Sequence, residues 1–410
     1  MILSKPLITL KNGEVIVSAK VTFEKPVLNK PDVAWFAFPE SYLPFISGRA
    51  DAFAAGLLPL AMVIREDLTI EGEMSPRLFY GLNEYQRALN VWFPKQLALV
   101  DVYATNLTSL PPEQAGQSCA ALFSGGVDSS YTLMSHLPDR QPNPDFQVKY
   151  AIFVHGFDIP LQYRPAYDES LKIFSQQLAP LGVTIIPCRT NLHYFTSGLL
   201  SWVIGHGSAG ISAGLVLDKL VRYFLVPSSY SLDGLVPWGS SPLIDHWLST
   251  ETLQALHHSA PVWRIEKVAA ISAWQPAQQF LRVCIDDSKR VGVNNCCRCE
   301  KCMRTMAMLE ICGALKSFKT FKQPFGRWDI IRWVPHYDLG QFSLPQTLRY
   351  VRSRGKTEYI FPLEVAHLLG LFRLWLRKMI PKPLFKYLKE RQFPYQKDIF
   401  NPIYLENGSL

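Results

Sequence analysis

The sequence predicts a wound parallel α/β sheet as the central fold, on three observations. Short apolar runs of strand length alternate with stretches of helical spacing between residues 118 and 315. The first of these runs leads into a glycine-rich turn and the start of a helix, Ser124-Gly125-Gly126-Val127-Asp128-Ser129. The 410 residues are 48% hydrophobic and 19% charged, which excludes a disordered or fibrous chain and supplies apolar side chains for more than one packed unit.

In chain order, residues 1–115 read as a β-rich N-terminal domain. The run Glu14-Val15-Ile16-Val17-Ser18-Ala19-Lys20-Val21-Thr22-Phe23 is rich in β-branched residues, residues 34–38 add a strand, and residues 54–64 have the composition of a helix. Pro111-Pro112-Glu113-Gln114-Ala115-Gly116-Gln117 is linker-like and marks the boundary. The central unit, 116–315, then reads as strand 119–123, helix from 129, strand 148–154, helix 167–178 and strand 183–187. A glycine-rich stretch at 205–210 leads into a helix at 213–220, and residues 223–226 form a fourth strand. Residues 316–410 form a basic, partly helical region, with a helix over 362–379 whose nearly continuous apolar pattern predicts internal packing. No internal repeat or low-complexity tract is present.

Apolar runs are interrupted by Lys, Arg, Asp or Pro before the roughly 18 residues a membrane span requires. Lys5 and Pro6 break any signal-like apolar segment at the start. Of the eight cysteines, Cys296, Cys297, Cys299 and Cys302 cluster, which points to metal binding in a reducing compartment and hence to a cytoplasmic location. The net charge of +8 is uneven: residues 316–410 carry 17 Lys and Arg against 7 Asp and Glu. The basic run Arg373, Arg377, Lys378, Lys382, Lys386, Lys389 and Arg391, interleaved with Trp375, Phe385 and Tyr387, suits a solvated face or contact with nucleic acid, acidic protein or anionic lipid.

The order strand, glycine turn, helix is what an anion site needs, because backbone N–H groups converge and the helix start adds positive potential. Gly125 and Gly126 permit close approach, and Ser124 and Ser129 offer hydroxyl donors. The Asp128 carboxylate conflicts with a bound phosphate, a conflict that a magnesium ion would resolve. The loop lacks the Lys and the spacing of a Walker A sequence. Downstream, Cys284, Cys296, Cys299 and Cys302 give C-x11-C-x2-C-x2-C, a spacing that wraps one tetrahedral ion. Zinc is the natural occupant of such a structural site, with an iron–sulfur cluster as the alternative. Cys297 competes with Cys296 for one vertex, and Cys296 has the more comfortable spacing to Cys299. Arg298, Lys301 and Arg304 are expected to offset the thiolate charge.

The motif Ser124-Gly125-Gly126-Val127-Asp128-Ser129 resembles the S-G-G-x-D-S signature of the PP-loop superfamily, the N-type ATP pyrophosphatases with an adenine nucleotide alpha hydrolase-like fold. The resemblance implies a loop, Phe123 to Ser129, that grips the β,γ-pyrophosphate of magnesium-bound ATP while a nucleophile attacks the α-phosphorus. It makes Asp128 and Ser129 the catalytic candidates and places Phe153, His155 and Gly156 on the adenosine side. Together with the cysteines, the loop is similar to the 7-cyano-7-deazaguanine synthase branch. That likeness covers residues 118–315 and implies a ligase that activates a carboxylate and amidates it with ammonia. The gap of eleven residues after Cys284, where that branch has eight, and the two flanking regions depart from it.

Segments following the later strands line the crevice of a wound sheet, which makes His206, Gly207, Ser208, Tyr230, Trp238 and Asp245 candidates for holding a small-molecule or modified-base substrate. Trp238 is suited to stacking, Asp245 to binding donors, and His206 or His246 to moving protons. Two other functions fit the sequence: tRNA thiolation through a persulfide on Cys188, and a non-catalytic nucleotide-sensing scaffold.

Overall fold

The computed structural model describes residues 1–284, 293–335 and 343–379. Its first strands, β1 (Ile2–Leu3), β2 (Leu7–Lys11), β3 (Glu14–Thr22) and β4 (Val33–Pro39), are followed by helix α1 (Asp51–Ile64), strand β5 (Leu68–Met74), helix α2 (Pro76–Trp92) and strand β6 (Val102–Leu107). The N-terminal stretch expected to be β-rich carries α2 in addition to the helix expected at 54–64, which is α1, buried from Asp51 to Met62.

The central stretch alternates as the apolar pattern predicts. It contains β7 (Ser118–Leu122), α3 (Val127–Ser135), β8 (Val148–His155), α4 (Arg164–Leu178), β9 (Thr184–Thr190), α5 (Leu192–Thr196), α6 (Trp202–Leu215) and β10 (Val221–Pro227). It continues with β11 (Gln254–His258), α7 (Arg264–Ile271), α8 (Gln275–Phe280) and α9 (Glu300–Ile311). The last region supplies α10 (Ser343–Ser353) and α11 (Ile360–Met379).

The described strands form one mixed 11-stranded sheet, in the order β11-β10-β7-β8-β9-β4-β3-β1-β5-β6, with β2 pairing on β3. Strands β7 to β11 pair in parallel. The N-terminal strands join them through the antiparallel pairs Phe36 to Thr190 and Ala37 to Arg189. Alternation along the strands divides the interior into two cores. Ala120, Ile152 and Phe224 face the core shared with α1 and α6. Ala121, Phe153 and Leu225 face the opposite core, which takes in Phe174, Met306, Trp333 and Leu363.

The glycine-rich stretch at 205–210 lies inside α6 rather than ahead of it, and residues 216–220 form a turn where continued helix was expected. The reason is packing. A Cβ on Gly210 would approach Leu122 to 2.7 Å and one on Gly214 would approach Phe224 to 2.9 Å, so these glycines let α6 lie close on β7 and β10.

Helix α11 departs from its expected internal packing. Leu363 and Ala366 are buried, whereas Phe361, Leu368, Phe372, Trp375 and Met379 are exposed. Among the described residues one helical stretch, Thr357–Leu376, reaches the length and composition of a span by those two measures alone, and it is only weakly apolar, so no clear membrane span is present among them. Of the basic run, Lys382, Phe385, Lys386, Tyr387, Lys389 and Arg391 lie outside the described residues.

Candidate functional site

Counted in chain order, the five parallel strands lie third, second, first, fourth, fifth across the sheet. The order reverses between β7 and β10, and crossovers leave in opposite directions there, opening a crevice beyond the strand ends. The segments that reach this crevice are residues 123–126 after β7 and residues 228–231 after β10.

At the end of β7 the chain turns through Gly125, whose φ is 74°, and enters α3 with no side chain capping the helix start. A Cβ on Gly125 would stand 2.4 Å from the Phe174 ring. That ring is locked edge-on against Phe123, Phe153 and Phe280, so it has no room to yield. The Gly125 carbonyl accepts from the Arg282 N–H at 2.8 Å, which ties the loop to the chain after α8. Ser129 Oγ donates to the Gly126 carbonyl at 3.2 Å and lies 3.4 Å from Ser124 Oγ, so both hydroxyls sit together under the turn. Val127, in the first turn, is buried. The uncapped N–H groups of a nine-residue helix and two adjacent hydroxyls are an oxyanion cradle.

Asp128 is compensated by protein cations. Arg264 Nη1 lies 2.7 Å from one carboxylate oxygen and Lys267 Nζ 3.4 Å from the other, both presented by α7. Burial raises the Asp128 pKa, but Arg264 and then Lys267 outweigh it and hold the carboxyl below its usual value. Burial lowers the Lys267 pKa, with Asp128 opposing. Both oxygens being engaged, the charge conflict that suggested magnesium at Asp128 is met by α7, and no magnesium ligand is assigned to it.

Beside this triad lies a cavity of about 30 Å³, lined by Tyr230 and Ser231 from the loop after β10, Arg264 and Lys267 from α7, Arg304 from α9, and Ser343 and Gln346 from α10. Gln346 donates to Ser231 Oγ at 2.6 Å and to Asp233 at 2.9 Å, and Arg349 pairs with Asp233 at 3.0 Å, so α10 is fastened to the rim. Arg304, expected to offset thiolate charge, is turned to this cavity, 3.7 Å from Glu300.

The other candidates are distributed differently. Tyr230 lines the cavity and Trp238 backs it, with ring centroids 5.0 Å apart. Asp245 is fully buried and spent on Ser240 Oγ at 2.7 Å, the Ser241 N–H at 3.1 Å and His257 Nδ1 at 2.7 Å, which makes it the anchor of its loop instead of a substrate ligand. His206, Gly207 and Ser208 lie in the middle of α6. His206 Nδ1 is 3.1 Å from the Trp202 carbonyl, a Gly207 Cβ would stand 2.0 Å from the Gly239 carbonyl, and Ser208 donates to the Gly205 carbonyl at 3.2 Å. These three serve helix packing.

Of the residues expected to face an adenosine, Phe153 stacks on Tyr167 at 4.6 Å, as does His155 at 4.5 Å. His155 Nε2 is 3.1 Å from the Pro160 carbonyl, and burial pushes its pKa down to about 4. Gly156 takes φ 111° where a Cβ would meet the Thr190 carbonyl at 1.9 Å. His155 and Gly156 therefore close a tight strand end.

The four sulfurs of Cys284, Cys296, Cys299 and Cys302 all lie within 4.8 Å of one another. A single ion with bonds of about 2.3 Å holds tetrahedral sulfurs about 3.8 Å apart, and Cys296 and Cys302 are 3.8 Å apart. The set fits one metal ion. Cys296 Sγ accepts from the N–H groups of Arg298 at 3.4 Å and Cys299 at 3.3 Å, whereas Cys297 points its thiol to the Asn295 carbonyl. Hydrogen bonds from Cys284, Cys299 and Cys302 hold the Cys296 thiol far below its usual range. Asn295 clamps the knuckle, its Oδ1 accepting from the N–H groups of Val283 at 2.9 Å and Cys284 at 3.1 Å and its Nδ2 donating to the Leu281 carbonyl at 2.8 Å.

Residues missed by sequence reasoning are Arg264, Lys267, Ser343, Gln346 and Asn295. The signal for the first two was a basic pair three apart at the start of a helix with Glu266 as its cap, and it becomes specific only once α7 is known to face Asp128. Compared with known proteins, the chain matches no family model, no curated protein and no solved structure.

Proposed function

We propose that this chain is an enzyme that cleaves ATP between its α- and β-phosphates to activate a carboxylate, which it then amidates or ligates. The observation that carries the proposal is the uncapped start of α3 with Ser124, Gly125, Gly126 and Ser129 at the sheet's switch point, next to a cation-lined cavity. The α3 N–H groups and the two hydroxyls would hold the leaving pyrophosphate, acting where negative charge grows in the transition state. Asp128 positions Arg264 and Lys267 beside that charge, so removing Asp128 would disturb both cations at once. The wall around Tyr230 would hold the acceptor within reach of the α-phosphorus, where orientation supplies much of the rate. Magnesium accompanies ATP as its counter-ion in this reading.

The cysteine set is read as a structural zinc site. Four thiolates leave no open position for water, and sulfurs packed around a single centre suit one ion better than a multi-iron cluster. Its contribution is to brace α9, which carries Arg304.

Sulfur transfer through Cys188 is disfavoured, since that thiol is fully buried and its pKa is raised by burial. The test is ammonia-dependent pyrophosphate release from ATP across a panel of aromatic and heteroaromatic carboxylates. Release that requires a carboxylate supports the proposal. Tight ATP binding with no release across the panel would favour the nucleotide-sensing alternative.

A further inference from the structure

Helix α11 is packed at one end only. Leu363 and Ala366 are buried, and Glu364 pairs with Arg352 of α10 at 2.7 Å, which fastens the first half of the helix to the body. From Leu371 onward no described side chain is buried, and Leu368, Phe372, Trp375 and Met379 are each more than half exposed. The Phe372 and Trp375 rings stack on each other at 5.8 Å. With roughly 100° of turn per residue, these four share one stripe with Phe361, whose ring meets the exposed Trp328 ring edge-on at 6.1 Å. Exposed Leu369 and Leu371 widen the stripe to an arc of about 160°. An exposed apolar surface of this kind marks a place where something docks.

Charge narrows what docks there. Arg373 and Lys378 stand just outside the two edges of the apolar arc, the placement from which long cationic side chains reach past an apolar boundary. Residues 373–391 hold seven Lys and Arg against Glu390 alone, a net charge of +6. A second copy of α11 is a poor complement. The one acidic residue of the helix is Glu364, already paired with Arg352, so two such helices side by side would bring cations together with no carboxylate between them. Nucleic acid would answer the charge and leave the aromatic stripe in water. An anionic lipid surface answers both, since its headgroups meet the cations and its acyl boundary takes the broad apolar arc. The exposed apolar part, Leu368–Met379, is about 18 Å long, well short of the hydrocarbon core of a bilayer, and the other end is held by the body, so the helix would lie in the interface and not cross it.

We infer that the second half of α11 and the basic segment after it form a docking site for a membrane surface rich in anionic lipid. Phe372, Trp375 and Met379 enter the acyl boundary, and the cations hold the headgroups. The site lies outside the residues assigned to ATP, so it places the chain at a membrane whatever reaction it carries out.

The test floats the full-length chain with vesicles of phosphatidylcholine alone and of phosphatidylcholine with about one-third phosphatidylglycerol. The parent should float with the anionic vesicles, less so at high salt, and stay behind with the neutral ones. Phe372→Ser with Trp375→Ser, both at exposed positions that the fold does not need, should weaken binding about tenfold or more. Lys382→Gln with Lys386→Gln should weaken it by about tenfold as well. Acyl chains brominated near the headgroup should quench parent tryptophan fluorescence, and Trp375→Phe should keep binding while losing much of that quenching. A parent that ignores anionic vesicles, that binds neutral ones equally, or whose binding or quenching is unchanged in these variants would overturn the inference. So would a dimer that Phe372→Ser with Trp375→Ser dissolves, which would give the face to a second copy, or a parent that binds tRNA and no vesicle.

Discussion

Replacing Asp128 by Asn keeps the shape of the side chain and an oxygen for Arg264 but removes the charge that two cations share. Both cations are withdrawn from water, with Lys267 2% exposed and Arg264 13%. Breaking a buried ion pair from one side costs about 3–5 kcal/mol, because the remaining charge is left uncompensated. Asp128→Asn should lose stability in that range at pH 7. Lys267 adds a pH signature. Burial holds its pKa below the usual lysine value, and Asp128 works against that by raising it. Without Asp128 the folded-state pKa falls further, while the unfolded value is unchanged. Below both folded values the penalty is complete; as pH rises past the variant's lowered value, Lys267 sheds its proton in the folded state and the penalty shrinks. Urea unfolding of the parent, Asp128→Asn, Lys267→Met and the double variant from pH 6.5 to 9.5 reads all of this. The double variant, with the unpaired ammonium gone, should recover more than half of the loss. A loss below about 0.5 kcal/mol, the level of an ordinary surface change, or a double variant no more stable than Asp128→Asn would refute the reasoning.

Three further outcomes are expected. Gly125→Ala forces a Cβ to 2.4 Å from the Phe174 ring at φ 74°, so it should destabilise by about 1–3 kcal/mol and abolish ATP binding; unchanged ATP affinity by calorimetry would count against the loop as the phosphate site. Metal analysis should find one equivalent of zinc per chain, lost in Cys302→Ser and kept in Cys297→Ser, and equal retention in both would contradict the ligand set. Burial pushes the pKa of His258 down to about 3, from a usual value near 6.5. The unfolded chain takes up this proton first as pH falls, so stability should drop from about pH 6.5 downward, by about 2 kcal/mol at pH 5; His258→Gln should flatten that drop, and an unchanged acid slope would remove His258 as its cause.

Much of the central sheet was legible because its strands are buried on both faces and read as apolar runs, as β7, β8, β9 and β10 did. The loop and the cysteine set were legible because their chemistry depends on local spacing. Misreadings arose where one residue type serves two purposes. The glycines of α6 look like a binding turn, yet they admit close contact with β7, β10 and the Gly239 loop. Asp245 looks like a free carboxylate until His257, twelve residues on, is seen 2.7 Å away. The apolar pattern of α11 was read as burial, whereas Leu368, Phe372 and Trp375 face outward, because an apolar helix does not announce what covers it. Arg264, Lys267 and Gln346 were invisible for a plainer reason: they meet Asp128 and Ser231 across separations of 115 to 139 residues, which no local pattern encodes.

The account turns on where ATP is cut. ATP labelled at the α-phosphorus, incubated with the chain, magnesium, ammonia and an accepted carboxylate, should yield labelled AMP with pyrophosphate in equal amounts, and Gly125→Ala should yield neither. Labelled ADP with inorganic phosphate, formed in the parent and lost in Gly125→Ala, would contradict the α,β-cleaving reading of the loop.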